Sequence, residues 1–306
     1  MNLYEKFTMG QKIYSKMKEG KEMKRKNIIY FVLILAMGIL ISGCSLSKST
    51  SSESTKIEVL DFSQKVNLKK ASKPIKEDAN ILFVGNSFTF CNDLPSTFLN
   101  LAESGGFTPN VSELSEGGYR LELFADPNDE LGSLLTSALN DSKWDYVILQ
   151  EQSRIPTFEN MTEEVMYPNA RKLDEMIKKA DGQTVFFMTW AYKNGDNIDG
   201  GNIKVSTTRE EMQTQLANSY IKIADELDAM MAPVGIAWMR AAEKYPNIEL
   251  WDEDLKHPSP AGTYLSACVF YGLLFDESPV GLNYYGDVEE ETAKVLQQIA
   301  KDIIFQ

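Results

Sequence analysis

The chain has 306 residues, of which 43% are hydrophobic and 25% are charged, a balance typical of a globular protein with one core of roughly 200–250 residues. The first 43 residues hold eight of the 31 basic and three of the 44 acidic residues, so the remainder carries a formal net charge of −18. Such an acidic domain excludes the basic surface that nucleic-acid binding requires, and its charge alone would repel it from anionic lipid.

The N-terminal region has the pattern of a secretion signal. Residues 28–41 form an apolar run of 14 residues without a charge, preceded by Lys-Arg-Lys at residues 24–26. The run is too short for a stable membrane span and is typical of a signal peptide. It ends in Ile-Ser-Gly-Cys, which resembles the lipobox of bacterial lipoproteins. This resemblance implies that Cys44 becomes the lipidated first residue of the mature protein; the alternative is a plain signal anchor.

These features divide the chain into three parts. Residues 1–43 are predicted to be a lipoprotein signal peptide, and Met23 is a second candidate translation start because a complete signal follows it. Residues 44–78 include a Ser/Thr-rich stretch without apolar periodicity and are predicted to form a tether. Residues 79–306 are predicted to form the folded domain, held by the lipid anchor at the bacterial cell membrane and facing outside the cytoplasm.

From residue 79 onward, strand-like runs alternate with helix-like runs. Apolar runs predict five strands, at residues 81–85, 108–115, 145–150, 183–190 and 231–238, the last running into a short helix. Amphipathic periodicity predicts helices at residues 94–104, 120–140, 162–180, 208–228, 260–275 and 289–304, with breaks near Pro127 and Pro168. Alternating strands and helices indicate right-handed crossovers and a parallel sheet covered on both faces. The predicted fold class is α/β, a flavodoxin-like three-layer α/β/α sandwich with a central parallel sheet of about five strands in the order 2-1-3-4-5.

Small and polar residues follow the predicted strands. Residues 85–87, Gly-Asn-Ser, follow the first strand, and residues 117–118, Gly-Gly, follow the second. Residues 150–153, Gln-Glu-Gln-Ser, follow the third strand, and residues 252–262 follow the fifth strand and its helix. Because the carboxyl ends of parallel strands lie along one edge of the sheet, we expect these segments to converge there, at the edge where ligands bind in such sheets.

The converging segments contain the parts of an acyl-transfer site. Ser87 supplies a hydroxyl at a helix N-terminus, and His257, the only histidine of the chain, can remove its proton. Asp254 precedes the histidine by three residues and can accept a hydrogen bond from its other ring nitrogen. The backbone N–H groups of Ser87 and Gly118, with the side-chain amide of Gln152, can stabilise a developing oxyanion. These are the predicted catalytic residues.

The same segments resemble the sequence blocks of the SGNH (GDSL) hydrolases. GNSFT is similar to the nucleophile block, EGGYRL to the glycine block and DLKHPS to the Asp-x-x-His block, and the resemblance covers about residues 78–306. It implies a serine esterase with a Ser-His-Asp triad and an acyl-enzyme intermediate, and no metal or organic cofactor. The implied substrates are O-acetyl groups on carbohydrates, lipid esters or thioesters. The extracellular anchor and nearby aromatic residues favour an acetylated polysaccharide.

Two positions depart from the family pattern. Asn86 stands where aspartate is commoner before the nucleophile. In the segment LQEQS, which occupies the place of Gly-x-Asn-Asp, Gln152 stands where an asparagine normally donates to the oxyanion. The same amide on a longer side chain can serve that role. Gln150 is the competing donor, since some esterase branches of the family carry Gln-Gly-Glu-Ser here.

Other interpretations stand beside the catalytic one. Ser87 can be a helix cap, and Asp252 or Glu253 can replace Asp254 as the partner of the histidine. An α/β-hydrolase would require Gly-x-Ser-x-Gly, and the second glycine is missing here. From a different class, a glycan-binding surface lipoprotein could keep the fold without turnover.

Aromatic and sulfur-containing residues near these segments allow both structural and functional interpretations. Trp190, Tyr192 and Trp251 can stack on a sugar ring or serve as core packing. Cys91 and Cys268 are predicted to be buried free thiols, since two cysteines do not make a disulfide framework. The expected partners are an ester substrate and, through the lipid anchor, a membrane, with no nucleic acid and a monomeric chain.

Overall fold

The computed structural model of the protein describes residues 57–73, 75–196 and 208–306. The predicted signal peptide, Cys44 and the Ser/Thr-rich stretch lie outside the described residues. In the part of the chain that is described, no helix is long and apolar enough to cross a membrane.

The centre of the domain is a parallel sheet. Its strands are β1 Asn80–Gly85, β2 Asn110–Ser115, β3 Tyr146–Leu149, β4 Gln183–Phe187 and β5 Met230–Ala232. These five strands pair in the order β2-β1-β3-β4-β5, every neighbouring pair being parallel. The predicted fold class and strand order are confirmed. All the carboxyl ends of the strands therefore lie along one edge.

Helices cover both faces of the sheet. The main helices are α1 Ser87–Phe90, α2 Leu94–Ser104, α3 Leu121–Ala125, α4 Glu130–Asp141, α5 Tyr167–Lys179, α6 Arg209–Glu226, α7 Val234–Lys244, α8 Pro260–Phe275 and α9 Glu290–Ile304. Helices α2, α7, α8 and α9 pack as one group, and α3, α4 and α5 pack as another. The result is the expected three-layer α/β/α sandwich.

The strands at the middle of the sheet are apolar because both of their faces are buried. Residues 81–85 of β1 and all of β3 are buried. Phe83 of β1 packs edge-on against Phe98 of α2 and Phe270 of α8, with ring centroids 5.8 and 5.4 Å apart. This packing fixes the ends of β1 and β3, from which the site is built.

The helical segment at residues 120–140 forms two helices, α3 and α4, so the break predicted near Pro127 is confirmed. Asp129 interrupts it, because its Oδ1 accepts hydrogen bonds from the backbone N–H groups of Leu131 and Gly132 at 2.9 and 3.3 Å. This side chain is the N-cap of α4. The capping aspartate, together with the break near Pro127, ends one helix and begins the next.

Two other elements differ in detail from the prediction. A wide π-helical turn, Thr162–Met166, runs directly into α5, so Pro168, the second residue of α5, lies inside a continuous helical stretch beside the wider turn. The strand predicted at residues 231–238 ends at Ala232, because Pro233 follows as the N-cap of α7.

Part of the segment predicted as tether lies against the domain. Lys73 pairs with Asp181 and Lys76 with Asp145, with N–O distances of 2.5 Å in each pair. The backbone N–H of Ser72 donates to the side chain of Gln183 at 2.7 Å. The partners of these residues lie at the amino ends of β3 and β4. This part of the chain therefore crosses the edge of the sheet opposite to Ser87.

Candidate active site

The turn after β1 requires a glycine at position 85. A β-carbon on Gly85 would lie 2.3 Å from Thr89 Oγ1 and 2.6 Å from Gln150 Oε1. Only a residue without a side chain lets the strand end so close to both groups. The turn therefore places the next two residues directly above the end of the sheet.

Asn86 fixes the turn by three hydrogen bonds. Its backbone N–H donates to Gln150 Oε1 at 2.8 Å, and its Nδ2 donates to the carbonyl of Tyr119 at 2.9 Å. Its Oδ1 accepts from the N–H of Phe88 at 3.1 Å, which makes Asn86 the N-cap of α1. Ser87 is therefore not the helix cap, and that interpretation is wrong. The Ser87 hydroxyl is left to contact another element.

Ser87, His257 and Asp254 form a continuous hydrogen-bonded chain. Ser87 Oγ lies 2.8 Å from His257 Nε2, and Asp254 Oδ2 lies 2.5 Å from His257 Nδ1. An ionised carboxylate has no proton to donate, so Nδ1 of the neutral imidazole carries the proton and donates it to Asp254. Nε2 is then left as the acceptor for the serine hydroxyl. This is the arrangement in which an imidazole can take the proton of a nucleophilic serine.

The Asp254 carboxylate is held in its ionised form. Partial burial acts to raise the pKa of Asp254, but hydrogen bonds from the His257 ring, the His257 N–H and the Lys256 N–H outweigh it and lower the pKa below its usual value. Both backbone N–H groups donate to Oδ1 at 2.9 Å. The second oxygen remains for the imidazole.

The loop that carries the histidine closes on itself. Leu255 has φ +62°, an unusual conformation for a branched residue, and its N–H donates to the carbonyl of Asp252 at 2.9 Å. The Asp252 N–H donates to the carbonyl of His257 at 2.8 Å. Among the described contacts, neither Asp252 nor Glu253 bonds to the imidazole, so Asp254 is the residue that orients it.

Three of the predicted oxyanion donors remain open to a ligand. Gly118 has φ +72°, a conformation that favours glycine. In the described part of the chain, neither its N–H nor that of Ser87 has a protein acceptor. Gln152 is half-buried, its Oε1 accepts from the N–H of Arg154 at 2.9 Å, and its Nε2 makes only a 3.4 Å contact with Ser153 Oγ.

Gln150, the competing donor, is committed to the turn. It is fully buried, and its Oε1 accepts from Asn86 N–H and from Thr89 Oγ1 at 2.8 and 3.0 Å. Its Nε2 donates to the carbonyl of Glu151 at 2.5 Å. Gln150 therefore holds the turn at residues 85–87 in place. Of the two glutamines, Gln152 is the one with a partly exposed side chain.

Of the comparisons with known proteins, only the one with solved structures found similar proteins, and it identifies the fold. No family model matches the chain, and no curated protein matches it. Among solved structures, it is similar to a protein from Slackia heliotrinireducens described as "a putative SGNH hydrolase", with 28% identity and a TM-score of 0.55 over 64% of this chain and 99% of that one. The chain has the fold of the SGNH hydrolases. A DUF4886 family protein from Bacteroides uniformis also matches, with 20% identity and a TM-score of 0.63 over 74% of this chain and 95% of that one.

Within this SGNH fold, Asn86 makes a hydrogen bond that the commoner aspartate could not make. Its Nδ2 donates to the carbonyl of Tyr119 in the segment that follows β2. An ionised carboxylate has no donor for that carbonyl. The asparagine therefore ties the turn at residues 85–87 to the segment that contains Gly117 and Gly118.

The aromatic residues near the SGNH site are core packing. Trp190 stacks between Phe88 and Trp238, with centroid distances of 4.5 and 4.0 Å. Trp190, Tyr192 and Trp251 are all buried, so none of them presents a ring face to a sugar. Trp190 Nε1 donates to the carbonyl of Lys256 at 2.9 Å and fixes the histidine loop. The interpretation of these rings as sugar-stacking residues is wrong.

Both described cysteines are free, but only one is fully buried. Cys268 lies in the core, whereas Cys91, just after α1, is half-buried, and partial burial raises the pKa of its thiol. Among the described residues, no group of His, Cys, Asp and Glu side chains could hold a metal ion.

Sequence reasoning missed Glu151. It follows β3 between the two glutamines and is fully buried. Burial raises the pKa of Glu151 to about 7, although hydrogen bonds from the N–H groups of Gln152 and Leu121 and the charge of Arg120 act to lower it. The available signal was a glutamate placed directly after the apolar strand Tyr-Val-Ile-Leu and one glutamine.

Proposed function

We propose that the protein is a carboxylic ester hydrolase with Ser87 as its nucleophile. The observation that carries the proposal is the chain of contacts from Ser87 Oγ to His257 Nε2 and from His257 Nδ1 to Asp254, at 2.8 and 2.5 Å. The SGNH fold supports the same reaction class, because a structure of 28% identity described as "a putative SGNH hydrolase" shares it.

The proposed reaction has two halves. Ser87 Oγ attacks the ester carbonyl while its proton passes to His257 Nε2, and the imidazolium then protonates the departing alcohol. Water attacks the acyl group on Ser87, gives a proton to His257, and the carboxylic acid leaves as the serine regains its proton. Asp254 remains ionised throughout and stabilises the imidazolium.

The negative oxygen formed in each half would be stabilised by three donors on segments that the parallel sheet brings to the same edge as Ser87. These are the N–H groups of Ser87 and Gly118 and the Nε2 of Gln152. Removal of one such donor typically lowers kcat by about 10²–10³-fold. The Gln152 oxygen already accepts from Arg154, which orients the amide nitrogen as the donor.

The experiment is hydrolysis of p-nitrophenyl acetate by the wild type and by Ser87→Ala. Loss of the serine in triad hydrolases lowers kcat by about 10⁶-fold, and the variant should keep its fold because Asn86, not Ser87, caps α1. A folded Ser87→Ala protein with more than about a tenth of the wild-type kcat would exclude this nucleophile. A wild type without any turnover, but with affinity for a glycan, would favour the binding-protein alternative.

The natural substrate we propose is an O-acetyl ester on a carbohydrate. The support is the predicted export of the chain, which would bring the domain to polysaccharides outside the cytoplasm. The buried tryptophans give no support, because they cannot stack on a sugar. A screen of acetylated glycans beside p-nitrophenyl esters of increasing acyl length tests this. A preference for long acyl chains over every acetylated glycan would contradict it.

We also propose that the mature protein is anchored at the membrane through a lipid on Cys44 and that it is monomeric. The support for the lipid anchor is the charge-free run at residues 28–41, which ends in Ile-Ser-Gly-Cys. Mass spectrometry of protein extracted from membranes tests the anchor. An N-terminus that still contains the apolar run would contradict it.

A further inference from the structure

The Glu151 carboxylate joins two segments that meet beside Ser87. Its Oε1 accepts hydrogen bonds from the N–H of Gln152 at 2.6 Å and from the N–H of Leu121 at 3.2 Å. Leu121 begins α3, and its N-cap residue, Arg120, makes no side-chain cap bond. One carboxylate oxygen therefore replaces the missing cap and also fixes the backbone of Gln152.

Both segments carry proposed oxyanion donors. Gly118 lies three residues before Leu121 on the segment that follows β2. The backbone N–H of Gln152 donates to Glu151, and its side-chain amide is the proposed oxyanion donor. From this geometry we propose that Glu151 is a positioning residue, whose carboxylate holds the Gly118 N–H and the Gln152 amide in place for the oxyanion. The inference rests on the proposed ester hydrolysis. Glu151 does not contact substrate in this account, because it is fully buried.

A purely structural role explains this residue less well. Burial of an ionisable group without a charged partner lowers stability, and the second oxygen of Glu151 is buried without a hydrogen-bond partner among the described residues. The raised pKa has the same origin. An apolar residue would pack at this position without that cost. Only an acceptor oxygen, however, can bond both N–H groups at once.

The main test compares Glu151→Gln with Glu151→Met. Glutamine keeps the acceptor oxygen, so kcat should stay within about tenfold of the wild type. Methionine has a similar unbranched shape but no such acceptor, so kcat should fall by about 10²-fold or more, as on loss of an oxyanion donor. KM should change by less than about threefold, because the oxyanion contacts form only in the transition state.

The matched control is Asp174→Leu. Asp174 is also a buried carboxylate, but its Oδ1 bonds Thr184 Oγ1 and its Oδ2 pairs with Lys178, at 2.8 Å in each case. Thr184 lies at the amino end of β4, the edge of the sheet opposite to Ser87. This variant should lose stability and keep its kcat per folded molecule. A folded Glu151→Met protein whose kcat stays within threefold of the wild type, or whose loss is confined to KM, would overturn the proposal.

A second pair of variants decides the matter if Glu151→Met does not fold. Leu121→Pro removes the N–H that donates to Glu151 at the first position of a helix, where proline is tolerated, and Arg120 before it is extended, with φ −128° and ψ 155°. Leu121→Ala loses the same buried side chain but keeps the N–H. The proline variant should have a kcat at least tenfold below that of the alanine variant, and equal values would overturn the proposal.

The failure of this inference differs from the failure of the proposed function. If the wild type hydrolyses p-nitrophenyl acetate and Ser87→Ala does not, the ester hydrolysis stands whatever the Glu151 variants do. If Ser87→Ala retains activity, the proposed function fails by itself, and with it the role assigned to Glu151.

Discussion

Asp254 performs two tasks with its two carboxylate oxygens. Oδ1 accepts the N–H groups of Lys256 and His257, and Oδ2 contacts the imidazole. The first task fixes the loop and the second fixes the ring. A substitution here should therefore damage both the histidine's orientation and the charge that stabilises the imidazolium, but should leave Ser87 and the oxyanion donors in place.

We expect Asp254→Ala to lower kcat by about 10⁴-fold, less than the roughly 10⁶-fold effect of Ser87→Ala. Asp252→Ala is the matched control, because among the described residues the Asp252 side chain bonds only the neighbouring Glu253 N–H and should be dispensable. Steady-state hydrolysis of p-nitrophenyl acetate by the variants measures this. Equal losses for Asp252→Ala and Asp254→Ala would mean that the contact with Nδ1 is not what matters.

Glu151 should give the folding stability a distinctive pH dependence. Its pKa is raised from 4.5 to about 7 in the folded protein, so the folded state holds this proton more tightly than the unfolded state does. The resulting stabilisation is complete below about pH 4.5 and is lost as the pH rises through 7. The loss is roughly 3 kcal/mol at most. Nearby Tyr220 stays neutral in this range because burial raises its pKa.

Urea unfolding of the wild type and Glu151→Gln between pH 5 and 8 measures this effect. The free energy of unfolding of the wild type should fall relative to that of the variant as the pH rises. The difference between the two proteins isolates Glu151 from the other titrating groups. Parallel pH profiles would show that Glu151 does not change its protonation in this range.

At the scale of elements, the junction between β1 and α1 is the most constrained part of the site. Gly85, Asn86 and Gln150 are packed so closely that no side chain fits at position 85. We expect Gly85→Ala to destabilise the protein by about 1–3 kcal/mol and to lower kcat, because the turn must shift to accept the methyl group.

Gly117→Ala is the control for this prediction. A β-carbon on Gly117 would meet no atom within 4 Å, so its free energy of unfolding should change by less than about 0.5 kcal/mol. Thermal melts of the two variants give the comparison. If Gly85→Ala is as stable as Gly117→Ala, the close contacts around Gly85 do not limit the turn.

The sequence predicts the elements well where one physical signal dominates. The continuous apolar runs at β1 and β3 and the alternation of strands and helices predict a parallel sheet, and the parallel direction of the strands brings the segments with Ser87, Gly118 and Gln152 to one edge. It is harder to predict which of two neighbouring polar residues caps a helix. Asn86 caps α1 through its Oδ1, and its Nδ2 bonds the carbonyl of Tyr119, more than 30 residues away, a contact that the local sequence does not show. The burial of Glu151 likewise depends on α3, which only the folded structure brings against it.

At the scale of the whole molecule, the two edges of the sheet have different roles. The carboxyl edge holds Ser87 and His257, whereas the amino edge is covered by the chain that precedes β1. Arg240 of α7 donates to the carbonyls of Phe62 and Gln64, at 2.6 Å in each case, and so holds the beginning of this covering segment. The covering segment, residues 57–73 and 75–78, should therefore support the fold without taking part in the chemistry.

We expect a chain that begins at residue 79 to be less stable than one that begins at residue 57, but equally active when folded. The lost contacts include four ion pairs, each contributing about 0.2–1 kcal/mol, and at least six hydrogen bonds of about 0.5–1.5 kcal/mol each, so the total loss should be about 4 kcal/mol or more. For a domain of this size, Tm would fall by roughly 2–4 °C per kcal/mol. Thermal melts and kcat of the two chains measure this. Arg240→Ala in the longer chain removes part of the same contacts and should lower Tm by a smaller amount.

A shorter chain with an unchanged Tm would mean that the covering segment only lies on the surface. A folded shorter chain without activity would mean that the amino edge influences the site at the opposite edge.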